Sequence, residues 1–407
     1  MKILVLNAGS SSQKMRLYEL KGDETAASPP ATPLWSADAD WSADGKEATL
    51  TLSTAGGHEV TEHRSGKSAE ILAWLLQQLW QGKTPVVQQP SDIAVVGHRV
   101  VHGGPKYHES ALITPQVEAE LRKISSFAPL HEPANLAGME IVSQLLGKVP
   151  QVAVFDTAFH HNLPLVAQIY PGPYAWFEQG IRRYGFHGIS HGYSARRSAQ
   201  MVEQEPSSLR IVTCHLGNGC SLAAIRGGQS IDTTMGLTPL EGLMMGTRSG
   251  TIDPSILFYL QREQDKTTED LEKILNHESG LKGISGLTGD MRTILHEAGQ
   301  GNERAQLALD LYIYRLRSCL GSMVAALEGI DVLTFTGGIG EHAPAIRARL
   351  CAHLGFLGLA LDSTKNASAS GDLEVTAAGS AVRVLIVHAE EDWEIARSCQ
   401  EIARSLV

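Results

Sequence analysis

No stretch of this 407-residue chain approaches the roughly 18 uninterrupted apolar residues that cross a membrane, and the first apolar run, Ile3-Leu4-Val5-Leu6, is cut short by Asn7. The opening residues read neither as a span nor as a secretory leader, which needs a basic start and a small-residue cleavage site. An excess of basic residues is missing too. Lys and Arg number 34 against 44 Asp and Glu, a formal charge of -10, which argues against nucleic acid or an anionic membrane as partner. The five cysteines (Cys214, Cys220, Cys319, Cys351, Cys399) are odd in number and form no CxxC pair. Neither a disulfide framework nor a thiolate zinc site is indicated, and a reducing, cytoplasmic home is expected. With 43% apolar and 19% charged residues, what remains is a globular chain long enough for about two to three domains.

Three common site signatures are also incomplete. SGKS (Ser65 to Ser68) carries the Gly-Lys-Ser tail of a P-loop, but Thr61 stands where its first Gly belongs. It reads instead as a helix start, with Ser68 capping SAEILAWLLQQLW. TGGIGEH (Thr336 to His342) lacks the third Gly of a dinucleotide fingerprint. HRVVH (His98, His102) and HGISH (His187, His191) have the i, i+4 spacing of a metal pair but not the Glu of HExxH, so they are read as hydrogen-bonding histidines.

What is present is an alternation of apolar strands with amphipathic helices, the pattern of an α/β protein. Residues 21–66 are rich in Ala, Ser, Thr, Asp and Pro, with one clear strand at ATLTLST (Ala48 to Thr54). NAGSSSQK (Asn7 to Lys14) lies between two strand-like runs, and its amides, hydroxyls and single ammonium suit an anion better than a plain turn. The second half opens the same way. VTCHLGNGCSLAAI sets His215 against Asn7, Gly217 against Gly9 and Asn218 against Ser10, which predicts two related domains, each presenting a Gly-rich loop. Arg99, after an apolar strand, and Arg248, in MMGTRSGTIDP, have no helical i, i+4 acidic neighbour, and an Arg on such a loop suits a bidentate grip on phosphate or carboxylate. Asp156 in VFDTAFH, Asp290 in SGLTGD and Glu391 are the acidic candidates for catalysis or magnesium.

Taken together, NAGSSSQK, GHRVVHGG, APLHEP, VFDTAFH, YGFHGISHGY, HLGNGCS, TTMGLTPLEGLMMGTRSG, SGLTGD and FTGGIGEH resemble the acetate kinase family, in its order and at its spacing over essentially the whole chain. The resemblance implies an α/β fold of two related actin-like (ribonuclease H-like) domains around an ATP cleft. Their expected extents are 1–155 completed by 390–407, and 156–389. It implies reversible transfer of the γ-phosphoryl group of ATP to acetate, giving acetyl phosphate and ADP, with magnesium (or manganese) as cofactor, and a homodimer.

By position, the same resemblance marks Asp156, His187, Arg248 and Arg99 as catalytic. Arg99, Val101, Leu130, Phe186 and Pro239 fall on the acetate pocket. Lys14, Ser12, His215, Leu216, Gly217, Asn218, Gly219, Asp290, Met291, Arg292, Gly337, Gly338, Ile339 and Gly340 fall on the ATP-binding loops. Asn7 and Glu391 fall on the metal site. Departures from the family pattern are Glu132 in APLHEP, Thr251 after GTRSG, and Asp392 as the second acid of the C-terminal pair.

A carboxylate substrate is already ionised at neutral pH and needs no general base. The obstacle is bringing one anion to another, so positioning and charge stabilisation are what such a site must supply. A kinase for propionate or another short-chain carboxylate differs only in pocket volume. A non-catalytic ATP-binding module on the same fold is the alternative of another class.

Overall fold

The computed structural model describes residues 1–8, 12–22, 24–25, 28–42, 46–124 and 132–405, with only the backbone for 132–134. The chain divides into two compact units, Met1–Ala158 with Glu390–Val407, and Phe159–Ala389.

The first unit holds eight strands: β1 (Lys2–Ala8), β2 (Ser12–Glu19), β3 (Trp35–Trp41), β4 (Glu47–Thr54), β5 (Glu59–Ser65), β6 (Val95–Val100), β7 (Ala111–Leu112) and β8 (Gln151–Phe155). They form one sheet in the order β5-β4-β3-β2-β1-β6-β8-β7. Strands β1 to β5 are joined by antiparallel pairings, while β6 and β8 run parallel to β1. One face is covered by the helices Ser68–Gln77 and Glu132–Leu146, whose Ile71, Leu75, Leu76, Val142 and Leu146 join Leu4, Met15, Trp35 and Leu50 in a core. The other face takes the helix Glu391–Ser405, with Trp393 buried edge-on against Tyr18 at 5.9 Å. Gly97 of β6 admits that helix. A Cβ there would lie 2.4 Å from Cys399 Sγ and 2.7 Å from Ile395 Cγ2.

The first segment of this unit runs to Ala158, and the Asp156 N–H bonds to Val100 O (2.9 Å), continuing the β6–β8 ladder past Phe155. Two strands of the 21–66 region went unread in the sequence. In β3 the buried positions are mostly alanines (Trp35, Ala37, Ala39), and β5 is an almost wholly exposed edge with no apolar period. The helix beginning at Ser68 is capped at Lys67, one residue before the expected Ser68.

The second unit repeats the frame with β9 (Arg210–Leu216), β10 (Cys220–Arg226), β11 (Gln229–Thr233), β12 (Val332–Thr336), β13 (Leu373–Glu374) and β14 (Arg383–Ile386). Their order is β11-β10-β9-β12-β14-β13, with β9, β10 and β11 antiparallel and β12 and β14 parallel to β9. Strand for strand this matches β3-β2-β1-β6-β8, so each unit has the actin-like core topology. Three residues separate β1 from β2 (9–11) and three separate β9 from β10 (217–219). Asn7 and His215 each stand next to last in their strands.

One face of the second sheet is unusual for a core. The helix Gly188–Met201 covers it with fully buried Ser190, His191, Ser194 and Ser198, and the strands answer with Thr213, Ser221 and Thr334. Ser198 Oγ meets Thr334 Oγ1 at 2.7 Å. Buried polar groups are tolerated when paired, and this seam is paired largely through histidine and hydroxyl groups.

Candidate active site

Arg99 is next to last in β6 and Asp156 follows β8, and the parallel pairing of these strands sets the two side chains together. Arg99 Nη2 lies 2.5 Å from Asp156 Oδ2 and Nε 3.2 Å from Oδ1, a bidentate pair, while Nη1 donates to Ala8 O at 3.2 Å. Asp156 is 1% exposed. Burial opposes the Arg99 charge, but Asp156 and Glu391 outweigh it and hold the guanidinium pKa above its usual value. The sequence reading that Arg99 lacked an acidic neighbour holds only along its own segment; the partner arrives from the adjacent strand.

The last helix of the chain brings Glu391 and Asp392 to the end of β1. Asn7 Nδ2 donates to Asp392 Oδ1 at 2.7 Å and to Glu391 Oε2 at 3.3 Å. Arg16 Nε stands 3.6 Å from Asp392 Oδ2, and exposed Lys14 pairs in register with Asn7 across β1–β2. Burial raises the Asp392 carboxyl pKa, with Arg16, the Asn7 hydrogen bond and Lys14 acting against it. Among the described residues no three His, Cys, Asp or Glu side chains are grouped as metal ligands. Two adjacent carboxylates with one amide fit magnesium nonetheless, since that ion takes one or two carboxylates and completes its shell from water and phosphate. Asp392 and Arg16 belong to this corner although the sequence singled out only Asn7 and Glu391. Ser12 opens β2, Val101 is buried just after β6, and Leu130 lies outside the described residues.

In the second unit His187 starts the helix Gly188–Met201 with φ 56°, a left-handed conformation that a non-glycine residue adopts at some cost. Its ring stacks on His215 at 4.2 Å, and its Nδ1 lies 2.8 Å from Ser221 Oγ. His215 Nδ1 lies 2.8 Å from Ser190 Oγ. Gly219 leaves space beside these groups. A Cβ there would stand 3.5 Å from His187 Nε2 and 3.6 Å from Arg248 Nη1, so the imidazole edge and the guanidinium face one small region. Arg248 Nη1 also donates to Pro239 O at 3.3 Å. Its loop is held in place by backbone bonds, Gly246 N to Asn218 O (3.1 Å) and Met245 N to Arg248 O (3.1 Å), so the HLGNGCS and MMGTRSG motifs meet. Thr251, where the family pattern has an acid, accepts the Gly242 N–H at 3.0 Å through its hydroxyl. Phe186 is buried, with its carbonyl 3.1 Å from His160 Nε2.

The C-terminal ends of the parallel strands β9, β12 and β14 lie side by side, the edge where ligands of such sheets bind. They carry Leu216 to Gly219, Gly337 to Gly340, and His388. Gly337 has φ 76°, and a Cβ on it would sit 2.9 Å from Leu216 O, so only glycine lets the two turns touch. Gly338 has open space around it, and Ile339 follows within the same short helix. Glu341, not foreseen from the sequence, holds this turn. It accepts the Gly337 N–H (2.9 Å) and the Ala389 N–H (3.0 Å), with His388 Nδ1 at 2.5 Å. Burial works against the Glu341 charge, but the His388 and backbone hydrogen bonds win and lower its carboxyl pKa. Fully buried Arg347 donates to Gly340 O and Glu341 O, each at 2.8 Å.

Asp290 caps the helix Met291–Gly299, accepting the Arg292 N–H at 2.8 Å, and its Oδ2 lies 2.6 Å from Arg292 Nη2. That pair of ATP-loop candidates therefore also has a local structural task.

The sequence profile of the Acetokinase family matches residues 2–397. An acetate kinase of Gloeobacter violaceus is 54% identical over 405 residues, covering 99% of this chain and 100% of that one. An acetate kinase of Rippkaea orientalis is 53% identical over 399 residues, 98% of each chain. Among solved structures, the acetate kinase of Porphyromonas gingivalis superposes with TM-score 0.87 at 37% identity, covering 98% of this chain and 99% of that one. A propionate kinase of Francisella tularensis gives TM-score 0.88 at 35% identity, with the same coverage. With the frame repeated in both units and the motif loops converging as described, this chain belongs to the acetokinase family.

Proposed function

We propose that the protein is an acetate kinase, transferring the γ-phosphoryl group of ATP to acetate, reversibly and with magnesium. The observation that carries this reading is the meeting of the His187 Nε2 edge and the Arg248 guanidinium beside Gly219. A phosphoryl group in flight spreads charge over its equatorial oxygens, and fixed donors aimed at that charge lower the barrier without reorganising. Arg248 supplies a planar cation, and His187 a hydrogen bond. Arg99, oriented by Asp156, supplies the second guanidinium and grips the acetate carboxylate. Its bidentate bond to Asp156 fixes the fork's direction.

The amides of 217–219 and 337–340 receive the nucleotide, with Asp290 to Arg292 at its base. Asn7, Glu391 and Asp392 would hold magnesium, which when bound neutralises phosphate charge. By their place in the family pattern, Val101, Phe186, Pro239 and Leu130 are assigned to the substrate methyl group, Leu130 lying outside the described residues. The test is acetate-dependent ADP formation from ATP, with acetyl phosphate trapped by hydroxylamine as the hydroxamate. Its absence in folded protein would leave the non-catalytic nucleotide-binding reading.

The likeness to a propionate kinase favours a second reading, in which a longer acid is accepted. One methylene is worth about 1–3 kcal/mol in an apolar pocket, so kcat/KM for acetate, propionate and butyrate decides between them. We infer a homodimer from the second unit's surface, where the helix Ser255–Gln264 buries none of its residues and exposes Ile256, Phe258 and Tyr259. Sedimentation of the wild type beside Phe258→Glu tests this. No described helix is long and apolar enough to cross a membrane, and a cytoplasmic location is part of the same proposal.

A further inference from the structure

Behind His187 lies a row of buried polar groups that touch no substrate in the reading above. Thr213 Oγ1 lies 2.7 Å from His191 Nδ1, His191 Nε2 lies 2.7 Å from Ser221 Oγ, and Ser221 Oγ lies 2.8 Å from His187 Nδ1. Thr213, His191 and Ser221 are all fully buried. Thr213 and Ser221 come from the paired strands β9 and β10, and His191 from the helix above them.

Burial, with His160 and His215 nearby, keeps His191 neutral by lowering its pKa well below the usual value, so its ring carries one proton. The two hydroxyls carry one each. Each of the three contacts takes one proton, and since a hydroxyl oxygen can accept twice, three arrangements are self-consistent: inward, outward, or both rings donating to Ser221 Oγ, which leaves the buried Ser221 proton without an acceptor among the described residues.

Run inward, His187 Nδ1–H donates to Ser221, Ser221 to His191, and His191 Nδ1–H to Thr213. The Thr213 hydroxyl proton is then left over in a fully buried place, and among the described residues that hydroxyl has no hydrogen-bond partner besides His191. Run outward, every proton finds an acceptor. Thr213 donates to His191 Nδ1, His191 Nε2–H to Ser221, and Ser221 O–H to His187 Nδ1. A neutral imidazole that accepts at Nδ1 carries its proton on Nε2, the nitrogen that faces Gly219 and Arg248.

We propose that Thr213, His191 and Ser221 form a one-directional hydrogen-bond wire that holds His187 as its Nε2–H tautomer, making them positioning residues for phosphoryl transfer. The transfer step rests on the reading of His187 as a donor to the phosphoryl group; the wire itself does not.

The experiment is long-range proton–nitrogen correlation on the full chain labelled with 15N-histidine, with His187 assigned by its loss in His187→Asn. The wild type is expected to show His187 as the Nε2–H tautomer. Ser221→Ala should mix the tautomers and lower kcat about tenfold or more, with KM values held within about twofold. Thr213→Val keeps the side-chain shape two links away and should move the same tautomer by less. Ser221→Thr, which restores the hydroxyl, should restore the signal. A His187 Nδ1–H tautomer in the wild type overturns the wire, as does an unchanged tautomer in both folded Ser221→Ala and Thr213→Val. A shifted tautomer with unchanged turnover upholds the wire and overturns the donor role of His187 instead.

Discussion

The two units share a frame but not a chemistry. At the end of β1 stands Asn7, tied to Glu391 and Asp392, and close by in the same sheet Arg99 is locked to Asp156. At the equivalent place in β9 stands His215, stacked on His187 and hydrogen-bonded to the Ser190 hydroxyl. The first unit handles full charges, with Arg99 set against Asp156 and Arg16 near Asp392. Around His187 the second offers, apart from Arg248, mainly neutral donors and backbone amides, and keeps its charged pairs, Asp290–Arg292 and Glu341–His388, for holding its loops. The same strand-loop-strand geometry thus specialises by what sits next to last in its first strand, and a phosphoryl transfer between anions needs both kinds of group.

This contrast breaks most sharply at the arginines. Arg99→Ala and Arg248→Ala should each lower kcat at least about a hundredfold, a loss of a few kcal/mol of transition-state stabilisation. They should part company in stability. Arg99→Ala removes the bidentate ion pair of the buried Asp156 carboxylate and should cost about 3–5 kcal/mol in denaturant unfolding, whereas Arg248→Ala should cost much less. Equal stability losses would remove the distinction between the two units.

Next in size, Glu391→Gln should raise the magnesium concentration needed for half-maximal activity by about 10–100-fold. Asp290→Asn, in the second unit, should leave that requirement unchanged. Titrating activity with magnesium separates the two.

A smaller effect follows from acid. Burial pushes His98 in the first unit and His160 in the second each down to about 4, so both stay neutral in the folded protein while the unfolded chain takes up protons near 6.5. The unfolded state then binds more protons, and stability falls as pH drops from about 6.5 to 4. The slope is about 1.4 kcal/mol per pH unit for each histidine. His98→Gln or His160→Gln should flatten the stability–pH curve by one such slope. The smallest effect expected is Thr251→Ala, about 1 kcal/mol or less for the lost acceptor of the Gly242 N–H, read from the thermal midpoint.

Much of this was legible in the sequence because both units advertise the same pattern, an apolar strand, a short Gly-bearing loop and a second strand. NAGSSSQK and HLGNGCS align on sequence alone, Asn7 against His215 and Gly9 against Gly217. Other features were silent for physical reasons. Strand β3 buries alanines, too small to mark a period, and β5 is an exposed, charged edge. Asp156 lies 57 residues from Arg99 and meets it only through the β6–β8 pairing. Ser221 looks like any small strand residue until its register places it opposite His215. Glu341 hides as the sixth residue of TGGIGEH, its role decided by backbone amides that no side-chain pattern records.

The helix Glu391–Ser405 belongs to the first unit yet follows the whole of the second in the chain. A ribosome therefore releases the opening sheet long before the segment that covers its far face and bears the two acids beside Asn7. Until that segment emerges, Tyr18 and Gly97 lie open to solvent. The hydrogen bonds that tie Asn7 to Glu391 and Asp392 can therefore form only after the whole second unit has been made.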